Sequence, residues 1–153
     1  MFRTLLAVAA SVLLVAACSK EAGTGGATGS AKLDIENPKS LYTVSKDAPA
    51  TVKAGEDGKF TLAVQPKEGV RVKPETPFKA KLSATAPVEL AKTELGYADN
   101  VRIEKDGPVF EVPFEGKAAG TGAITADMTF FVCTSEACVR TTEQVQVPVT
   151  VNE

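Results

Sequence analysis

The sequence predicts an all-β fold, an antiparallel β-sandwich. Three observations carry that reading. Apolar residues recur at every second position in many short runs. Turn-forming Gly, Pro, Asp and Asn separate those runs at intervals of about eight to twelve residues. Beyond the first seventeen residues, no stretch holds a 3.6-residue apolar period for three turns.

In chain order, the run 50–53 ends at Gly55-Glu56-Asp57-Gly58. The next, 59–64, sets Phe60, Leu62 and Val64 against Thr61 and Ala63. The run 69–73 is short and is stopped by Pro74 and Pro77. Phe78, Ala80 and Leu82 alternate with Lys79, Lys81 and Ser83, and 88–90 and 101–103 are brief extended pieces. Between those two pieces, 91–98 is the best helical candidate. The run 109–115 puts Phe110, Val112 and Phe114 on one face, and 124–132 does the same with Ile124, Ala126, Met128, Phe130 and Val132. The last run alternates Val145, Val147, Val149 and Val151 with Gln144, Gln146, Pro148 and Thr150.

Pro113 and Pro148 fall inside predicted strands. A proline offers no ladder donor, so each is expected at a sheet edge, at a bulge or on an outward-facing bond. The Gly-rich stretch 116–122 is expected to be a hairpin joining the runs on either side. Seven phenylalanines and no tryptophan imply an aliphatic and phenylalanine core. The buried tryptophan and widely spaced inter-sheet disulfide of antibody domains are absent.

Residues 1–17 stand outside the fold. Met1-Phe2-Arg3 is a short positive start, and 4–17 is apolar or small throughout. That is the pattern of a secretory signal rather than of a spanning helix. It ends in Val15-Ala16-Ala17-Cys18, which resembles the lipobox of bacterial lipoproteins. The resemblance implies cleavage before Cys18, lipidation of its sulfur and anchoring to a membrane, which is stable when more than one acyl chain is attached. The implied address is the cell envelope. With Ser19 after the cysteine, it is the outer membrane, facing the periplasm, if the host is Gram-negative. Residues 18–32 read as a Gly-rich flexible tether leading to a sandwich domain over 33–153. The Gly-Thr-Gly-Gly-Ala-Thr-Gly run within it has no Gly-Lys-Ser/Thr ending and no strand before it, so it is not a phosphate loop.

The chain has 17 basic and 19 acidic residues. Removing Arg3 with the signal leaves sixteen against nineteen, a net charge of −3. A nucleic-acid partner needs a basic face, and none is offered. There is no histidine, so Ser-His and Cys-His catalysis are excluded. The carboxylates Asp34, Glu36, Glu56, Asp57, Asp99 and Asp106 lie singly or in turns and read as solvated.

Of three cysteines, lipid accounts for Cys18. Cys133 and Cys138 remain, an even pair in a compartment where disulfides persist. If the runs flanking them form a hairpin, the two can sit across from each other at a separation a disulfide tolerates. A ring this small gains only about 2 kcal/mol from loop closure. Three readings stay open: a passive staple, a redox-exchanging pair, or a soft Cu(I) site on two thiolates. A zinc site normally needs four ligands, and no cofactor is implied. Arg140, two positions after Cys138, shares a strand face with it and would favour its thiolate. Glu136, between the cysteines, would oppose it.

Phe130-Phe131-Val132-Cys133 to Cys138, followed by Val145-Gln146-Val147-Pro148-Val149-Thr150-Val151, resembles the carboxy-terminal part of the DsbD amino-terminal (alpha) domain. The upstream Gly69-Val70-Arg71-Val72-Lys73-Pro74-Glu75-Thr76-Pro77-Phe78-Lys79 resembles that family's glycine, short strand and proline-bounded turn. The resemblance covers roughly 58–151. It implies an immunoglobulin-like sandwich whose cysteine pair passes electrons to periplasmic thiol–disulfide partners of thioredoxin type. Cys133 and Cys138 would be the exchanging pair, with Cys138 forming the mixed disulfide. The chain departs from the family in having four residues rather than five between the cysteines. It also has Val139-Arg140-Thr141-Thr142-Glu143 where the family has prolines. No counterpart to the family's aromatic capping loop is assigned. A module ending at Glu153 is expected to draw its electrons from another protein.

Two functions are therefore expected: a lipid-anchored thiol–disulfide interchange module, or a non-catalytic envelope binding or scaffold module with a structural disulfide.

Overall fold

The computed structural model describes residues 35–49 and 51–153. The expected signal segment 1–17, the expected lipidation site Cys18 and the expected tether to residue 32 lie outside the described residues. A 3-10 turn, Pro38–Leu41, leads into ten strands. In chain order these are β1 (Tyr42–Asp47), β2 (Thr51–Lys53), β3 (Asp57–Pro66), β4 (Lys79–Ala84), β5 (Val88–Leu90), β6 (Glu94–Gly96), β7 (Arg102–Glu104), β8 (Gly107–Gly116), β9 (Gly120–Cys133) and β10 (Cys138–Asn152).

They form two five-stranded sheets. The first runs β1-β3-β8, and the far edge of β8 is shared by β5 at one end and β7 at the other. The second runs β2-β10-β9-β4-β6. Every pairing is antiparallel except β2 with β10. The fold is the all-β sandwich that the alternation predicts.

The predicted core faces are the observed ones. Phe60, Leu62 and Val64 from β3, and Phe110, Val112 and Phe114 from β8, are buried from one sheet. Ala80 and Leu82 from β4, with Ile124, Ala126, Met128, Phe130 and Val132 from β9, meet them from the other. Period two places residues i and i+2 on one face, so a run of apolar even positions in β9 is one continuous inner face. The aromatic centre is a chain of rings. Phe78 stacks on Phe110 at 4.8 Å and on Phe130 at 5.6 Å, and Tyr42 meets Phe130 edge-on at 5.1 Å.

Three local expectations are corrected, and one strand is new. The 91–98 piece is not helical. It contains β6 and a 3-10 turn, Tyr97–Asp99. Only Leu95 is buried within it, and pairing with Ala80 on β4 satisfies that side chain better than a helix with no apolar stripe. The 116–122 stretch is not a hairpin, because β8 and β9 belong to different sheets and the chain crosses the sandwich there. The 69–73 run forms no strand and makes a single bridge, Arg71 to Cys133. Strand β1 alternates only over Tyr42 and Val44 before the polar Ser45-Lys46-Asp47 and was not predicted.

The two prolines obey the donor rule in different ways. Pro113 lies in β8, an interior strand. Its carbonyl accepts from Ala91 N at 3.1 Å, just past the end of β5, so its missing donor faces the gap between β5 and β7. Pro148 lies where β10 is the sheet edge, because β2 pairs only with Thr150, Val151 and Asn152. Two residues earlier, the Gln146 carbonyl points out from that edge and accepts from Lys46 Nζ at 2.8 Å.

Candidate functional site

Strands β9 and β10 form the longest ladder in the protein, from Val151 opposite Gly120 to Cys138 opposite Cys133. The cysteines are thus the last pair of a hairpin. They are joined as a disulfide, with Cα atoms 4.0 Å apart. The connecting turn is held by Thr134. Its N–H donates to the Ala137 carbonyl at 2.8 Å, and its Oγ1 accepts from the N–H groups of Glu136 and Ala137, both at 3.2 Å.

The alternation sets the face on which the disulfide lies. Inner positions of β9 are even-numbered and inner positions of β10 are odd-numbered, as Val132 and Thr141 show by their burial. Cys133 and Cys138 both stand on the outer face. Even so, Cys133 is fully buried, whereas Cys138 is exposed.

The cause is a third segment. The N–H and C=O of Cys133 point away from Cys138 and exchange two 2.9 Å hydrogen bonds with Arg71. The cysteine pair is therefore a non-hydrogen-bonded pair, the kind in which side chains approach most closely. Arg71 is held between two buried valines, Val70 and Val72. Val70 N donates to the Lys67 carbonyl at 3.0 Å, and Val72 N donates to the Asp106 carbonyl at 2.9 Å. Asp106 belongs to the two-residue turn between β7 and β8, where both Lys105 and Asp106 have positive φ.

Along the outer face, Cys133 therefore has Cys138 on one side, Arg71 on the other and Phe131 two residues back. Arg140 pairs with Phe131, so it shares the disulfide's face as the sequence predicts. Arg71 and Arg140 are both exposed, and among the described residues neither makes an ion pair. Glu136 is exposed in the turn. Sequence reasoning missed Arg71 as a neighbour of the cysteines. Its segment was visible, but the bridge that places it is a long-range pairing with no local signature.

On the Arg71 segment lies an open cleft of about 420 Å³, lined by Arg71, Lys73, Glu75, Tyr97, Ile103 and Asp106 among others. The Tyr97 hydroxyl donates to the Val72 carbonyl at 3.3 Å. Burial, with the Glu75 carboxylate nearby, pushes its phenol above the usual value. Ile103 on the rim is half exposed, as is Val101. Among the described residues, no three His, Cys, Asp or Glu side chains are grouped to hold a metal ion.

No family model matches the chain, and no curated protein matches it. Among solved structures, it is similar to a chain of the zinc 2-glycoprotein and prolactin inducible protein complex from human seminal plasma. That match has a TM-score of 0.50 and 16% identity, and covers 76% of this chain and 100% of that one. A cohesin module of a Clostridium perfringens family 33 glycoside hydrolase aligns with a TM-score of 0.47 and 14% identity, over 73% and 97% of the two chains. A conjugative transposon lipoprotein from Bacteroides eggerthii aligns with a TM-score of 0.42 and 7% identity, over 71% and 96%. At these identities the likeness is one of fold, and the architecture is an immunoglobulin-like β-sandwich.

Proposed function

We propose that the protein is a lipid-anchored envelope module that exchanges its Cys133–Cys138 disulfide with a periplasmic dithiol protein of thioredoxin type. The carrying observation is the asymmetry of the pair, a buried Cys133 joined to an exposed Cys138 on an open outer face. The DsbD-like sequence pattern and the lipobox support the same reading.

The chemistry needs no cofactor. A partner thiolate attacks the Cys138 sulfur, the bond to Cys133 breaks, and its electron pair leaves on Cys133 as a thiolate. The partner's second thiolate then attacks its own first sulfur and expels Cys138. Two electrons have passed, the partner holds a disulfide, and this protein holds a dithiol. The step is reversible, and the relative potentials set its direction.

The alternative, an envelope binding module whose disulfide never opens, draws on the complete burial of Cys133. The reduction potential decides between them. An exchanging pair is expected above about −300 mV, and a structural one below it. A potential below that bound, together with no exchange with a reduced thioredoxin-like protein, overturns the redox reading.

A further inference from the structure

We propose that Arg71 tunes the disulfide by stabilising the Cys133 thiolate, so that the buried sulfur is a competent leaving group. The inference rests on the exchange reading and supplies what that reading lacks. Attack at Cys138 must discharge negative charge onto a sulfur with no exposed surface. Burial in apolar surroundings raises a thiol's pKa, and a leaving thiol of higher pKa departs more slowly.

The fold places one cation beside Cys133 on the same outer face. Arg71 is the ladder partner of Cys133 on the side opposite Cys138. Directly opposed residues share a face, with Cβ atoms roughly 4.5–5.5 Å apart. Both backbone bonds to Cys133 and the burial of Val70 and Val72 fix the arginine on the outer face. Its guanidinium has no ion-pair partner among the described residues, so its charge is not already neutralised. The other charged groups around the pair are Arg140 beside it on β10, Lys73 and Glu75 beyond Arg71, Glu136 in the hairpin turn, and Lys105 and Asp106 at the β7–β8 tip. Arg140 and the two lysines add to the effect of Arg71, while Glu75, Glu136 and Asp106 subtract from it. Only Arg71 is paired with Cys133 itself.

The test is a 13Cβ chemical-shift titration of Cys133 in the full chain carrying Cys138→Ala, which reports this thiol separately from Cys18. Adding Arg71→Met is expected to raise the Cys133 pKa by between about half a unit and one unit, as loss of one exposed neighbouring cation does. Arg71→Lys should retain most of the effect. In the protein with both cysteines, Arg71→Met should slow reduction by dithiothreitol about two- to five-fold at neutral pH. An unchanged Cys133 pKa in Arg71→Met overturns the proposal. Should that variant fail to fold, the unsubstituted arginine decides. One molar salt shrinks the screening length to about 3 Å and must raise the Cys133 pKa; a salt-independent value overturns the proposal. Failure to exchange with a thioredoxin-like partner would sink the exchange reading without moving this titration.

Discussion

Cys133 and Cys138 face each other as the final pair of the β9–β10 hairpin, yet the first has no exposed surface and the second is open to solvent. A disulfide in this setting can be approached from one end only. Replacing each cysteine singly should therefore give unequal products. Cys133→Ser leaves the exposed thiol and is expected to form a mixed disulfide with a thioredoxin-like partner. Cys138→Ser leaves the buried one, which should react at least about tenfold more slowly with a thiol reagent. Mass spectrometry of the trapped adducts and the rate of aromatic disulfide reduction check this. Equal rates would mean that the hairpin tip opens freely and that burial does not select the attacked sulfur.

The same bond contributes little to the fold. The hairpin is held along its whole length by cross-strand pairs, and the ring closed by the disulfide is small. Cys133→Ala with Cys138→Ala is expected to cost about 2 kcal/mol or less in urea unfolding. Phe130→Ala should cost about 3–5 kcal/mol, because that ring is fully buried and bridges Tyr42 and Phe78. A double alanine variant that fails to fold, beside a tolerant Phe130→Ala, would reverse the assignment of what holds the sandwich.

The inner faces of β3, β4, β8, β9 and β10 were legible because apolar residues recur at every second position along them, and period two survives in the sequence whatever the topology. Topology itself was not legible. The Gly-rich link between β8 and β9 has hairpin chemistry but joins two sheets, and nothing local distinguishes those outcomes. Strand β1 was hidden because its alternation spans only Tyr42 and Val44, of which Tyr42 alone is fully buried. The site was half legible. The cysteines and Arg140 lie on one hairpin, whereas Arg71 reaches them through a pairing between distant parts of the chain.

Tyr42 ties the two sheets together through polar contacts. Its hydroxyl donates to Glu143 Oε2 at 3.0 Å. Having one proton, it must accept from Thr141 Oγ1, also at 3.0 Å, and Thr141 is buried. Tyr42→Phe strands the threonine hydroxyl and is expected to cost about 1–2 kcal/mol. Adding Thr141→Val should recover much of that loss in a double-mutant cycle. Burial foremost, with Glu143 beside it, raises the Tyr42 phenol above 10.0. A raised acid favours the fold while it is protonated. Its contribution is complete below the unfolded value and is lost as pH rises through the folded one. Alkaline unfolding above pH 10 should therefore be later in Tyr42→Phe, relative to that variant's own stability at pH 8.

Asp99 gives the opposite sign at the other end of the scale. The hydrogen bond from Lys92, and then that from the Gly96 N–H at 2.7 Å, hold its carboxyl below 3.8. A depressed carboxylate stabilises the fold above its unfolded pKa, and the contribution disappears as pH falls through the folded value. Asp99 is partly exposed and Lys92 more so, which limits the pair to less than about 1 kcal/mol. The loss should therefore appear as local fraying rather than global unfolding. Carboxyl 13C titration is expected to place Asp99 below the ordinary aspartate value, with β6 and its following turn loosening as it protonates. Asp99→Asn keeps an acceptor for Gly96 but removes the charge facing Lys92. Its β6 amides should exchange at a rate independent of pH across that acid range, after correction for intrinsic chemistry. If they follow the same acid transition as the parent, a group other than Asp99 controls that edge of the sheet.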